Sequence, residues 1–146
     1  MYKTILVPLD GSERAEGILA HVTELAKCTG ASLVLLRIVE PIPAAVASYE
    51  AWPTVYLEQI QSMMKDAETY LDARASELRQ NGLTVETEVV HGPVVGSIIE
   101  AAEKVDASLI AMASHGRSGL GHVFYGSVAS GVLNRIDRPL LLIRSR

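Results

Sequence analysis

Along the chain, apolar positions follow two different periods. Thr4–Leu9 (TILVPL), Ser32–Val39 (SLVLLRIV), Ala107–Ala113 (ASLIAMA) and Pro139–Ile143 (PLLLI) are near-continuous apolar runs of strand length. Such runs mark strands covered on both faces, as in parallel sheets. Thr84–Val90 (TVETEVV) alternates instead, which predicts an edge strand with one buried face.

Between these runs the period is helical. From Ala15 the apolar positions fall at Ile18, Leu19, Val22, Leu25 and Ala26, and Gly30 closes the pattern. Thr54–Gln80 reads as one long helix with Leu57, Ile60, Met64, Ala67, Leu71, Ala75 and Leu78 on one side, ended by Asn81-Gly82. Pro93–Val105 is a third helix, on Val94/Val95, Ile98, Ile99, Ala102 and Val105. A fourth starts at Ser127, with Val128, Val132 and Ile136 flanked by Ala129 and Leu133. Pro41–Pro53 (PIPAAVASYEAWP) holds three prolines and no period, so it is expected to be a long loop. Tyr49 and Trp52 in it would either pin the loop to the core or cover a ligand.

Strand and helix therefore alternate through five strands. That order makes a parallel sheet with helices on both faces and right-handed crossovers. With no linker, repeat or low-complexity stretch, residues 1–146 are expected to form one domain. Ligands in such sheets bind beyond the carboxyl ends of the strands, where the strand order reverses. Asp10 follows the first strand and Ser114-His115-Gly116 the fourth. If those strands are neighbours, both groups reach one crevice.

Composition narrows the partners. Of 146 residues, 49% are hydrophobic and 21% charged, which argues for a packed core. A net charge of -4 is the wrong sign for a broad nucleic-acid footprint. No apolar run approaches the roughly 18 residues that span a bilayer, and no basic-apolar-small leader precedes the first strand. A cytoplasmic protein is expected. The single cysteine, Cys28, has no partner for an internal disulfide and reads as a small core or flank residue.

The chemistry concentrates between Ala107 and Arg135. An apolar run leads into a loop with glycines at 116, 119, 121 and 126, and a helix begins at Ser127. Glycine lets the backbone approach a ligand closely, and a helix N-terminus offers unpaired N–H groups with a dipole that favours negative charge. The expected ligand is an anion, above all a nucleotide phosphate; the alternative is a surface loop whose glycines only make turns. The loop lacks the Gly-Lys-Ser/Thr ending of a P-loop, and the dinucleotide fingerprint would follow the first strand, where only Asp10-Gly11-Ser12 stands.

Three segments, KTILVPLDGSERA, IAMASHGRSGLGHVFYGSVASGVL and RPLLLIRSR, resemble the universal stress protein family across the whole chain apart from 41–53. The resemblance implies a three-layer, flavodoxin-like and Rossmann-like fold with a parallel five-stranded sheet of order 3-2-1-4-5, usually in homodimers. It also implies ATP as ligand, through a motif of glycine, two residues, glycine, nine residues, glycine and Ser or Thr. Those places hold Ala113, Gly116, Gly126 and Ser127, with Arg117–Tyr125 as the nine. Only the first departs, and at the end of an extended run with negative φ alanine fits without cost. By the same resemblance Asp10 and Ile38 lie by adenine and ribose, with Met112 near them and Pro8 and Leu9 bringing Asp10 into place. Gly116, Gly126, Ser127 and Val128 meet the phosphates.

His115 lies near those phosphates, and with no carboxylate or serine at a fixed spacing it is expected to be a contact rather than a base. Arg117 either balances phosphate charge or points to water. His21, His91 and His122 are expected to be structural or solvated, and no Cys/His cluster has metal-ligand spacing. Any Mg or Mn would arrive on the nucleotide's phosphates and keep most of its waters. Three functions remain in view: an ATP-dependent regulatory module with an unidentified protein partner, a slow ATPase or phosphotransferase, and a nucleotide-free dimeric interaction protein.

Overall fold

The computed structural model describes residues 1–42, 52–115 and 126–145. Five strands form one sheet: β1 (Thr4–Pro8), β2 (Ser32–Val39), β3 (Val85–His91), β4 (Leu109–His115) and β5 (Leu140–Ser145). All four pairings are parallel and the order is β3-β2-β1-β4-β5, as the resemblance implied. Helices α1 (Glu13–Glu16), α2 (Ile18–Thr29), α3 (Trp52–Gln80), α4 (Val94–Lys104) and α5 (Ser127–Arg135) fill the crossovers.

The apolar runs lack alternation because both sheet faces are covered. Side chains still point alternately to opposite faces. Ile5, Val7, Leu33, Leu35, Leu109 and Ala111 pack with α2 and α3 residues such as Ile18, Val22, Leu71 and Ala75. Leu6, Val34, Leu36, Ile38, Ile110 and Met112 pack with Ile98, Ala102, Ala129 and Val132 from α4 and α5. Each buried Val, Leu, Ile or Met side chain among them contributes about 1.5–3 kcal/mol.

Several expected boundaries move. The first helix is interrupted at Gly17, which separates the single turn of α1 from α2. Pro53, expected in a loop, stands in the first turn of α3, where a missing N–H costs nothing. Tyr49 lies outside the described residues. Leu57, expected on the buried stripe, is 58% exposed. The 29 residues of α3 span about 43 Å at 1.5 Å each, whereas the eight residues of β2 span about 26 Å; the helix outruns the sheet it packs on. Cys28 is exposed on the flank of α2.

The amino end of the sheet is pinned by side chains. Ser108 Oγ accepts from Lys3 N at 2.9 Å and donates to Thr4 O at 2.9 Å. Arg138 Nη1 donates to Ala102 O at 2.9 Å and Ala107 O at 3.0 Å, tying the end of α4 and the entry to β4 to the start of β5.

Helices α4 and α5 touch at a residue with no side chain. A Cβ on Gly131, inside α5, would stand 2.8 Å from Val95 Cγ2, and a β-branched side chain has little rotameric freedom to retreat. Replacing a helical glycine by alanine ordinarily gains about 1 kcal/mol, while overpacking costs about 1–3 kcal/mol. Gly131→Ala should therefore destabilise, by about 1 kcal/mol in denaturant unfolding. Adding Val95→Ala should recover stability relative to Val95→Ala alone. A more stable single variant would contradict this packing.

Candidate functional site

The site is made where β1 stops. Leu9 N still donates to Leu36 O at 2.8 Å, and the chain then turns through Asp10-Gly11-Ser12. Gly11 has φ +85°, a conformation open to glycine at little cost. Asp10 Oδ1 accepts from Ser12 N at 2.9 Å and Ser12 Oγ at 2.5 Å. Ser12 Oγ in turn accepts from Ala15 N at 3.2 Å as the N-cap of α1. This relay fixes the Asp10 carboxylate at the rim of a cleft beyond the ends of β1, β2 and β4.

Opposite Asp10, α5 enters on Gly126, whose φ +71° and ψ 159° lie in a region essentially restricted to glycine. No side chain caps α5 at this end, and the first N–H groups of any helix lack internal partners. Ser127, Val128 and Ala129 bring that end to the cleft wall. β4 contributes Met112 and Ala113. Outside glycine, only Asp106 has positive φ among the described residues, so Ala113 continues the strand without strain, paired with Ile143.

Nine residues expected at a ligand line this one cleft: Pro8, Leu9, Asp10, Ile38, Met112, Ala113, Gly126, Ser127 and Val128. His115 is the last residue of β4, and Gly116, Arg117 and His122 lie outside the described residues. His21 is exposed on α2. His91 Nδ1 bonds Val39 O at 2.8 Å, a structural role at the end of β3. The sequence reading missed Leu36, Arg37 and Glu40 on the β2 side, Ala15 on α1, Val94 and Ile98 on α4, and Ala129. Two signals were present: Arg37 is the sole charge in SLVLLRIV, and Val94 and Ile98 are four apart on one helix face.

The Asp10 turn is also tied to α3. Tyr70 donates to Glu16 Oε1 at 2.8 Å, and Arg74 Nη1 lies 3.5 Å from Glu16 Oε2. Burial first, then the bond and charge of Glu16, push the Tyr70 phenol well above its ordinary range.

A parallel sheet of this order, with a glycine-gated helix start and an acidic turn meeting at its switch point, defines a doubly wound α/β protein with a cleft beyond the carboxyl ends of its strands. The universal stress protein family matches residues 1–144, and the chain belongs to it. Universal stress protein A homolog 1 of Coxiella burnetii is 32% identical, over 91% of this chain and 90% of that protein. The solved structure of MJ0577, a universal stress protein of Methanocaldococcus jannaschii, superposes with a TM-score of 0.84 at 27% identity, over 100% of this chain and 98% of that one. Two further solved relatives hold nucleotides. A universal stress protein in complex with cAMP has a TM-score of 0.68 at 21% identity, over 99% and 98% of the two chains. The Archaeoglobus fulgidus protein in complex with dAMP has a TM-score of 0.64 at 21% identity, over 97% and 98%. At that identity they establish the shared fold.

The Tyr70–Glu16 link carries a pH signature. A phenol whose folded pKa exceeds its unfolded value of about 10 adds stability that is intact below pH 10 and falls as pH rises further. Thermal melts from pH 8 to 11 should show a steeper loss above pH 10 in wild type than in Tyr70→Phe. Equal slopes would mean that the link does not differ between the folded and unfolded states.

Proposed function

We propose that this protein binds ATP in the cleft and acts as a nucleotide-dependent regulatory module of a stress response. The observation that carries this reading is Gly126. Its glycine-only conformation aims the uncapped start of α5 at the cleft that Asp10 and Ile38 line from the other side. Asp10 and Ile38 would take ribose and adenine, with Met112 beside the base. The N–H groups that open α5, with the Ser127 hydroxyl, would take phosphates, completed by His115, Gly116 and Arg117. The cAMP and dAMP complexes of relatives support an adenine nucleotide. A Mg or Mn ion would enter on the phosphates.

Phosphoryl transfer requires a positioned base or water-orienting group plus cationic stabilisation. Asp10 already accepts from two groups of Ser12 within its own turn, and we assign no catalytic residue. Calorimetric titration should give ATP binding near micromolar Kd, about -8 kcal/mol, with turnover far below the typical enzyme median of roughly 10 per second. Ser127→Ala loses one charge-assisted bond, about 1.5–3 kcal/mol, or about 10- to 150-fold in affinity. Gly126→Val, checked for folding by circular dichroism, should abolish measurable binding. Ala113→Gly should leave affinity equal or slightly higher. A Gly126→Val protein that binds like wild type would remove the backbone cradle; absence of ATP binding up to millimolar would favour a nucleotide-free interaction protein.

We further propose a homodimer through β5. That strand lies at the sheet edge, yet Leu141 and Ile143 pack on one face of the core and Leu140 and Leu142 on the other. An open apolar edge is a template for another strand. Light scattering at tens of micromolar should give a dimer mass, and Leu141→Lys should shift it toward monomer. A monomeric wild type, or a variant of unchanged mass, would count against this interface.

A further inference from the structure

We infer that Arg37 sets how the cleft reads a nucleobase, by occupying the main-chain acceptor that a base's amino group would use. This rests on the nucleotide reading above. Main-chain polar groups of a strand point alternately to its two neighbours. In β2, Leu36 O faces β1, accepting from Leu9 N at 2.8 Å, and Val39 O faces β3, accepting from Gly92 N at 3.1 Å. Ile38 O therefore shares the side of Leu36 O. The next ladder donor after Leu9 would be Gly11 N, two residues on, but the turn at Gly11, with φ +85°, carries the chain away. Ile38 meets the cleft beyond the end of β1.

Arg37 supplies the missing donor. Its Nη1 donates to Ile38 O at 2.7 Å. The Arg37 side chain runs beside the Gly11 turn, where a Cβ would stand in ordinary contact, 4.0 Å from Arg37 Nε. Arg37 is half-buried and lines the cleft. Among the described residues no carboxylate lies within ion-pair distance of it. The far side of Arg37 borders a second cavity with Asp66 and Tyr70 on its wall, so the guanidinium has space to leave its carbonyl.

The chemistry follows from donor and acceptor counts. A carbonyl oxygen accepts two hydrogen bonds. The guanidinium takes one by a charge-assisted bond, and an amino group that takes the other must share the oxygen with that donor and stand beside its positive charge. The 6-amino group of adenine then contributes little to affinity in the wild-type protein. Removing the guanidinium frees the acceptor, and the amino group contributes a full hydrogen bond.

The test is a cycle of two ligands and two proteins. ATP and the purine riboside triphosphate that lacks only the 6-amino group are titrated calorimetrically into wild type and Arg37→Met, with folding followed by thermal melts. The ratio of ATP affinity to analogue affinity should rise about tenfold in the variant. Arg37→Ala should give the same rise and carries the comparison if the methionine variant does not fold. An unchanged or lower ratio, with both ligands bound by wild type, overturns the role of Arg37 and leaves the ATP site standing. If wild type binds neither ligand at millimolar concentration, the ATP reading falls and this inference with it.

Discussion

A central strand in a sheet has two hydrogen-bonding edges, and β1 uses both. It pairs with β2 from Thr4 to Pro8 and with β4 through Ile5 and Leu6. Its side chains Ile5, Leu6 and Val7 are fully buried, two toward one helix layer and one toward the other. The pairing with β4 stops at Leu6 and that with β2 at Pro8, so both neighbours run on without β1 between them, and the crossovers leave to opposite faces. The cleft is the space this leaves. Its position follows from the strand order, and its chemistry from what the chain places around the gap: an acidic turn, a strand carbonyl held by Arg37 and a helix start.

Stability and ligand contact are drawn from opposite ends of the sheet. At the amino end, Ser108 and Arg138 join three strands and a helix by side-chain bonds. At the carboxyl end the fixed points are conformational: Gly11 at φ +85° and Gly126 at φ +71°. Backbone-built walls of this kind change little with side-chain substitution and respond sharply to any added Cβ. The Glu16–Tyr70 bond carries the position of the Asp10 turn across to α3.

Much of this was legible in the residues. The four unalternated runs announced strands covered on both sides, and TVETEVV announced the edge, because burial on one or two faces is written directly into polarity. The motif from Ala113 to Ser127 located the glycine-gated helix start, since the positive φ at Gly126 excludes most other residues. Leu57 misled because periodicity reports which side of a helix is apolar and says nothing of how far the sheet beneath it extends. Pro53 misled because a proline ends one helix and begins another with the same residue. Arg37 stood out as the sole charge in SLVLLRIV, but its partner did not: a carbonyl left over by the end of a neighbouring strand has no signature in the sequence of the strand that bears it.

The two edges of the sheet are unequal. Along β3, Glu86 is exposed and Glu88 is paired with Lys104, and charges of this kind resist a further strand. β5 carries four consecutive apolar residues and then Arg144. In the proposed dimer, β5 of a second copy would take up this apolar edge, and the joined sheet would end in β3 on each side. Growth through this edge would then be self-limiting. The proposed pairing would close at a two-fold pair and leave no apolar edge among the described strands from which a filament could extend.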